Sequence, residues 1–329
     1  MSSTENGSMR QTVGATQTWT HIPVMGMQVL DAAKGLADPR VLVDMTLGRA
    51  GHSSLLLSSF PDLFLYGFDR DAEAISQSSE KLQAEFPDRF KLFRTDFANA
   101  VPTLKNEGLS GADFILFDTG VSSPQFDDPS RGFSYRFDAP LDMRMDQSQA
   151  LTAKTVVNEY SQEELERILK NYGGERFYRP IARSIVRFRE VRPLETTFDL
   201  VNAVKAALPE RILRKEGHPA KQTFMAIRFE VNNEREEMER AITDAVRFLN
   251  AGGRCCVIPF NSDDDQQVKR IFESFCPRRE ISRFFPPLPA VASEYEILTH
   301  KALVADANER AINPRSEPAR MRIIQRRSK

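Results

Sequence analysis

The sequence predicts an α/β fold, a parallel sheet with helices on both faces, interrupted by an all-helical insertion. Three observations carry the prediction. Short β-rich apolar runs, several ending in an acid, alternate with segments of helical periodicity, and that alternation builds a parallel sheet covered on both sides. The alternation stops between residues 127 and 217 and then resumes. The composition is globular: 329 residues, 41% hydrophobic and 28% charged, enough chain for one or two cored domains.

Taken in order, residues 1–18 are rich in Ser, Thr, Gln and Gly and read as a flexible tail. Residues 41–46 form a short apolar strand pattern that stops at Gly48, and a helix pattern follows at 53–60. Residues 63–69 read as a second buried strand, 72–86 as a helix, 90–94 and 112–118 as further strands. A Gly/Pro/Asp-rich loop at 129–145 precedes helical spacing at 162–171, 176–189 and 197–208, punctuated by Pro193 and Pro209. A long helix at 233–249 comes next, with Ala251-Gly252-Gly253 as its C-cap. Residues 254–260 read as a buried strand and 263–275 as a helix; 280–285 and 295–301 are the last two strand candidates. The run 310–329, with seven basic residues and one acid, reads as a solvated tail. The implied division is a sheet domain of residues 19–126 and 218–329 around a helical insertion of 127–217.

Composition narrows the function classes. A net charge of −1 does not announce a nucleic-acid binder, though it permits a local basic face. No stretch approaches the ~18 apolar residues of a membrane span, and the polar first twenty residues lack the apolar core of a secretory signal. Cys255, Cys256 and Cys276 show no C-x-x-C spacing, which argues against a disulfide framework or a structural metal. The expectation is a cytoplasmic protein with no membrane and no metal partner. Monomer or homodimer stays open.

Ligands of open α/β sheets bind outside the carboxyl ends of the strands, and the polar residues fall there. Asp44, Thr46 and the turn Gly48-Arg-Ala-Gly51 with His52 follow the first strand. Asp69 ends the second strand, 21 residues beyond Gly48, the spacing of an acid that holds ribose hydroxyls. Asp96 and Phe97 follow the third strand, where an acid and an aromatic ring suit adenine, and Asp118 ends the fourth. Gly48-x-x-Gly51 is not G-x-G-x-x-G, so a nucleoside without a pyrophosphate, S-adenosylmethionine above all, fits better than a dinucleotide. The bland readings stand beside these. Asp44 suits a turn or helix cap, His52 a helix N-terminus, and Met143, Met145, Cys255 and Cys256 suit core.

A longer string of motifs is collinear from about His21 to Arg322. It includes Asp44-Met-Thr-Leu-Gly-Arg-Ala-Gly-His-Ser53, Gly67-Phe-Asp-Arg-Asp71, Asp118-Thr-Gly-Val-Ser-Ser-Pro-Gln-Phe-Asp127 and Arg131-Gly-Phe-Ser134. Pro140-Leu-Asp-Met-Arg-Met-Asp146 is its most specific piece; Tyr172-Gly-Gly-Glu-Arg-Phe177, His218-Pro-Ala220, Val231-Asn232 and Asn313-Pro-Arg-Ser316 extend it. Together they resemble the ribosomal small-subunit methyltransferase H (MraW) family. The resemblance implies a class I (Rossmann-like) S-adenosylmethionine-dependent methyltransferase sheet with an inserted helical domain. It implies methylation of the exocyclic N4 of one cytidine in the decoding region of 16S rRNA. The implied cofactor contacts are Ala50, Gly51, His52, Asp69, Phe97, Asp118 and Gln125.

The N4 lone pair is delocalised into the cytosine ring, so the amine is a poor nucleophile. It needs in-line placement, acceptors for its hydrogens and a dry pocket. Ser122-Ser-Pro-Gln-Phe126 resembles the N4-facing element of amino methyltransferases, which makes Ser123 the expected acceptor. Asp142 is a second acceptor or proton sink, unless it pairs with Arg144 or Arg131. Arg131, Arg144, His218, Arg228, Asn261 and the basic run 310–329 are the expected RNA contacts. Three departures from the family pattern bear on this. Ala50 stands where the family has glycine, Asn261 replaces a histidine, and Lys221-Gln222 replaces Thr-Arg. The alternatives are another amino methyltransferase and, from a different class, an assembly factor of the same fold with weak or lost catalysis; a nicotinamide dehydrogenase would have to bind NAD.

Overall fold

The computed structural model describes residues 23–119, 128–276 and 293–328. Its strands are β1 Val41–Asp44, β2 Phe64–Asp69, β3 Phe90–Arg94, β4 Ala112–Asp118, β5 Leu249–Ile258, β6 Tyr295–Ile297, β7 Leu303–Val304 and β8 Arg320–Arg326. They lie side by side in the order β3-β2-β1-β4-β5-β8-β6, with β7 also paired to β8. The first five run parallel, whereas β8 is antiparallel to β5, β6 and β7. The predicted sheet is therefore present, with an antiparallel edge added by the C-terminal residues.

Neighbouring residues of the central strands point to opposite faces, and both faces are buried. Val43, Ile115, Phe117, Cys255 and Val257 enter one hydrophobic cluster; Leu42, Phe114, Leu116, Cys256 and Ile258 enter the other. This is why the strands read as continuous apolar runs rather than alternating ones. Helices α1 Gly26–Lys34, α2 Gly51–Ser59 and α3 Ala72–Glu85 supply the second cluster. The first is supplied by α4 Ala100–Asn106 together with α11 Glu234–Arg247 and α12 Ser262–Phe275. Each large side chain so buried contributes about 1.5–3 kcal/mol. Cys255 and Cys256 face apart, and burial pushes both thiols up from their ordinary value, so they are inert core.

A third cluster is helical. It gathers α5 Ala153–Glu159, α6 Gln162–Asn171, α7 Tyr178–Val191, α8 Thr197–Ala207 and α10 Lys221–Asn232, with α9 Glu210–Leu213 at its edge. Ser161 with Glu164 and Thr196 with Asp199 form capping boxes that start α6 and α8. Between residues 128 and 217 the only β pairing among the described residues is an isolated bridge, Pro140 to Thr196.

Three sequence expectations need correction. Helix α10 had no counterpart in the sequence reading, although Phe224, Ile227 and Val231 recur at helical spacing; it carries the helical cluster past residue 217. Ala251-Gly252-Gly253 does not cap a helix. Helix α11 stops at Arg247, and the three residues lie inside β5, where the pairing register with β4 shifts between Ala112 and Phe114. Gly252 has φ +83°, and a side chain at Gly253 would sit 2.8 Å from the Ala112 carbonyl oxygen, so both glycines serve a bulge. Finally, the basic run 310–329 is not a solvated tail: it includes β8, with Met321 and Ile324 fully buried. The strand candidate at 280–285 and the tail 1–18 lie outside the described residues.

Candidate functional site

The strand order reverses at β1, between β2 and β4, the switch point at whose carboxyl ends open α/β sheets form their ligand cleft. Asp44 ends β1. It is 2% exposed and accepts hydrogen bonds from the Thr46 amide (3.1 Å) and the Ser53 hydroxyl (2.6 Å). Burial pushes its pKa up against those bonds. The Thr46 hydroxyl in turn accepts from the Asp118 amide at 2.6 Å, which ties the ends of β1 and β4 together.

The turn after β1 is left-handed twice, at Gly48 (φ +49°) and at Ala50 (φ +54°). Ala50 is the residue before α2 and has no side-chain cap to offer. The first amides of α2 therefore face the cleft end of the sheet without intrahelical partners. Gly48 donates its amide to Asp69 at 2.9 Å, and the Asp71 amide takes the other Asp69 oxygen at 2.9 Å. Burial raises the Asp69 pKa to about 6 despite these two donors.

Asp118 sits at the end of β4. Burial also raises it to about 6, the nearby His52 opposing and Asp44 reinforcing the shift. Among the described residues, its Oδ1 is buried without a hydrogen-bond partner. Its Oδ2 faces His52 Nδ1 at 3.7 Å. His52 Nε2 lies 2.8 Å from the Val24 carbonyl, which can only accept, so this nitrogen carries a proton. Nδ1 is then the nitrogen that faces the carboxylate.

Phe97 opens the turn after β3. Its ring meets Phe117 edge-on at 6.3 Å, and the Arg70 guanidinium lies 5.3 Å from its centroid. Arg70 bonds the Asn232 carbonyl at 3.1 Å and pairs with Glu237, so helices α10 and α11 close this side. Beside them lies a polar cavity of 420 Å³ lined by Arg70, Thr95, Asp96, Asn232, Asn233 and Glu237, among others. Neither Arg70 nor Glu237 was expected from the sequence. Arg70 had a signal, its place beside Asp69; Glu237, 167 residues away, had none. Asp264 was missed too: its Oδ1 is buried without a partner among the described residues, and burial raises it to about 6.

The structure thus brings together Ala50, Gly51, His52, Asp69, Phe97 and Asp118. Ser123 and Gln125 lie outside the described residues. Most of the expected RNA contacts are engaged within the protein. Arg131 is 5% exposed and bonds Asp71 (3.1 Å) and the Arg144 and Met145 carbonyls, which leaves it no face for a phosphate. Arg144 grips both oxygens of Asp142 (2.9 and 2.7 Å) and the Gln147 and Gln149 carbonyls. Burial acts to raise Asp142, but the hydrogen bonds from Arg144 outweigh it and hold the carboxyl below its ordinary value. That is the ion pair the sequence left open, and it disfavours Asp142 as a proton sink. Arg228 forms a two-point pair with Glu234 (2.8 and 2.9 Å). The His218 ring stacks on Tyr135 at 4.2 Å, and burial lowers its pKa, with Lys205 and Arg136 adding to the effect. Asn261 caps α12, accepting from the Asp263 and Asp264 amides at 3.0 and 2.9 Å. In the basic C-terminal run, Arg322 pairs with Asp265, Arg326 with Glu294 and Arg327 with Glu296.

Among the described residues, no group of three or more His, Cys, Asp or Glu is gathered as a metal would require, and no helix is long and apolar enough to cross a membrane.

Residues 18–327 match the MraW methylase family. The chain is 44% identical over 288 residues to the ribosomal RNA small subunit methyltransferase H of Spiroplasma kunkelii, covering 87% of this chain and 92% of that protein. The protein of the same name from Mesoplasma florum is 42% identical over 93% of this chain and 99% of its own length. That from Limosilactobacillus fermentum is 41% identical over 94% and 98%.

Proposed function

This chain belongs to the MraW methylase family, and from that membership we propose that it transfers a methyl group from S-adenosylmethionine to the exocyclic N4 of a cytidine in the decoding region of small-subunit ribosomal RNA. The reaction takes place in the cytoplasm, with the subunits. The observation that carries the reading is the convergence of Asp44, Asp69 and Asp118 at the ends of three adjacent parallel strands, one of them with a buried oxygen that has no partner among the described residues.

The residues present fit the donor. Asp69 suits ribose hydroxyls, Phe97 an adenine edge, and the left-handed turn through Ala50 exposes backbone to a nucleoside. A buried carboxylate oxygen with no donor is costly, so Asp118 Oδ1 suits a cationic amine or hydroxyl of a ligand. Bound there, S-adenosylmethionine supplies a methyl group already activated by its sulfonium.

The chain's own work is placement, charge and dryness. Three carboxylates with one histidine present negative charge to a cationic ligand in a partly desolvated cleft. Ser123 and the adjoining carbonyls are the proposed acceptors from the N4 hydrogens, which would let the nitrogen lone pair localise. Asp142 acts by holding Arg144 and the loop around it. The target base must leave its stack to reach the site.

The test uses small subunits from a strain lacking the gene, incubated with the protein and S-adenosylmethionine. One new N4-methylcytidine in the decoding region, located by mass spectrometry, is the expected outcome. No methylation while calorimetry still records donor binding would overturn the substrate assignment; no donor binding would overturn the reading altogether.

A further inference from the structure

The charge of this chain is unevenly spread. Residues 170–221 hold twelve Lys and Arg against six Asp and Glu, while the whole chain holds 45 against 46. Within this stretch Arg176, Arg179, Arg183 and Arg187 are all exposed. The last three stand four residues apart along one face of α7, and Arg176 lies in the turn just before the helix, three residues from Arg179. The opposite face buries Ile181, Ala182, Ser184 and Ile185. The ridge cannot turn inward without losing that packing.

These arginines differ from the cations already described. Arg131, Arg144, Arg228, Arg322, Arg326 and Arg327 each have an acid partner. On the ridge only Arg179 meets an acid, Glu166 at 3.6 Å; Arg176, Arg183 and Arg187 have none among the described residues. Tyr178 lies at the start of the ridge with the Arg179 and Lys170 cations 5.4 and 5.8 Å from its ring, an aromatic surface set among positive charges.

The ridge also starts in a telling place. Just before it, the space a side chain at Gly174 would enter is 3.7 Å from an Asp263 carboxylate oxygen. Asp263 belongs to the first turn of α12, which follows β5, and Ile258 of β5 pairs with Asp118. The ridge therefore begins at the carboxyl-end rim of the sheet and runs along α7 in steps of about 6 Å, the scale of the phosphate repeat in an extended strand.

We propose that Arg176, Arg179, Arg183 and Arg187 form a track for the sugar-phosphate backbone of single-stranded RNA leading to the cleft. This assignment rests on the proposed RNA substrate. It places the binding charge on the helical cluster rather than on the arginines of the motifs or on the C-terminal run. Three exposed arginines without an acid partner among the described residues, with Arg179 between them, release counterions from a strand without reading its sequence.

The test measures binding of a labelled, unstructured RNA of about 16 nucleotides as a function of salt. Each lost phosphate contact on a single strand lowers the slope of log affinity against log salt by about 0.7, so Arg176→Gln, Arg183→Gln and Arg187→Gln combined should lower it by about 2. Donor affinity by calorimetry should stay at the wild-type value, which also reports that the variant is folded. Lys34→Gln, Lys105→Gln and Lys269→Gln combined remove the same charge from the sheet helices and should leave the slope nearly unchanged.

Equal slopes for the ridge variant and the wild type would overturn the track, as would equal losses in both variants or a wild type that binds no RNA. Displacement of the RNA by poly-glutamate as readily as by unlabelled RNA would reassign the ridge to an acidic protein. Ridge-dependent RNA binding without cytidine methylation would sink the proposed reaction and leave the track standing. Methylation with wild-type RNA binding in the ridge variant would do the reverse.

Discussion

Ala50 stands in the left-handed region with its methyl group fully buried. The conformation costs an L-residue about 1–2 kcal/mol, which glycine would not bear. Glycine would lose the buried methyl, about 0.8 kcal/mol, and add freedom to the unfolded chain. Ala50→Gly should therefore change stability by less than about 1 kcal/mol. Ala50→Val, a β-branched residue at positive φ, should cost more than about 2 kcal/mol and weaken donor binding. Denaturant titration of the two variants checks the pair, and a Val variant as stable as the Gly variant would contradict the strain. Ala50 thus keeps the turn a glycine would make, which weakens its value as a sign of lost catalysis.

Asp118 is a second case at this scale. Its native pKa of about 6 lies above the ordinary 3.8, so the native state holds the proton where the unfolded chain has released it. The stability this contributes is fully present below about pH 4, falls as pH rises, and is gone above about pH 6. Asp69 acts in the same direction. Asp118→Asn should raise the melting temperature of the ligand-free protein above about pH 7, but not near pH 4, and lower donor affinity about tenfold or more. Thermal melts at both pH values, with calorimetry, check it. A variant that melts lower at neutral pH would refute the cost of the buried charge. A group that destabilises the empty protein and is kept in a cleft fits a role in binding.

At the scale of elements, α12 and β8 carry the tests. Asn261 accepts two amides at the start of α12, so Asn261→Ala should cost about 1 kcal/mol in chemical denaturation. Asn261→Ser, which keeps a cap acceptor without adding a second carboxylate beside Asp264, should recover most of that. If both variants match the wild type, the cap contributes nothing. For β8, the strand lies between β5 and β6 with Met321 and Ile324 fully buried. Removal of residues 318–329 should yield a chain without a cooperative melt, whereas a free tail could be removed with no effect. In sequence this strand reads as a tail because its charges dominate. Met321-Arg322-Ile323-Ile324 is a short apolar core in basic flanks, and Arg322 and Arg326 meet their acids only after the chain has folded.

At the scale of the whole molecule, the loop 131–149 locks the helical cluster to the sheet. Arg131 reaches Asp71 beyond β2, Arg94 reaches Asp146, and Asn232 of α10 holds Met143 and Met145 by their backbone. Motif residues read as RNA contacts are thus the joint between two layers. Removing a partner from a buried pair costs about 3–5 kcal/mol, so Arg131→Ala should destabilise by that order and blunt the cooperativity of unfolding. Asp71→Asn with Arg131→Met should recover part of it. A single mutant with the wild-type denaturation midpoint would show that the joint is held elsewhere.

The sequence by itself located the parallel strands β1 to β5 but not β7 or β8, because a buried parallel strand is an apolar run, and β4 begins and ends where that pattern does. It determined the cleft for the same reason, since Asp44, Asp69 and Asp118 close those runs and parallel strands bring their ends to one edge. It also determined the family, through motifs spread over nearly the whole chain. Only the tertiary structure decided which charges are free. An arginine in a motif and an arginine on a ridge look alike in one dimension. Whether an acid lies within reach depends on contacts across tens to hundreds of residues, such as Arg70 with Glu237, Arg131 with Asp71 and Arg322 with Asp265. Coulomb attraction acts through space, and the chain order carries no record of it.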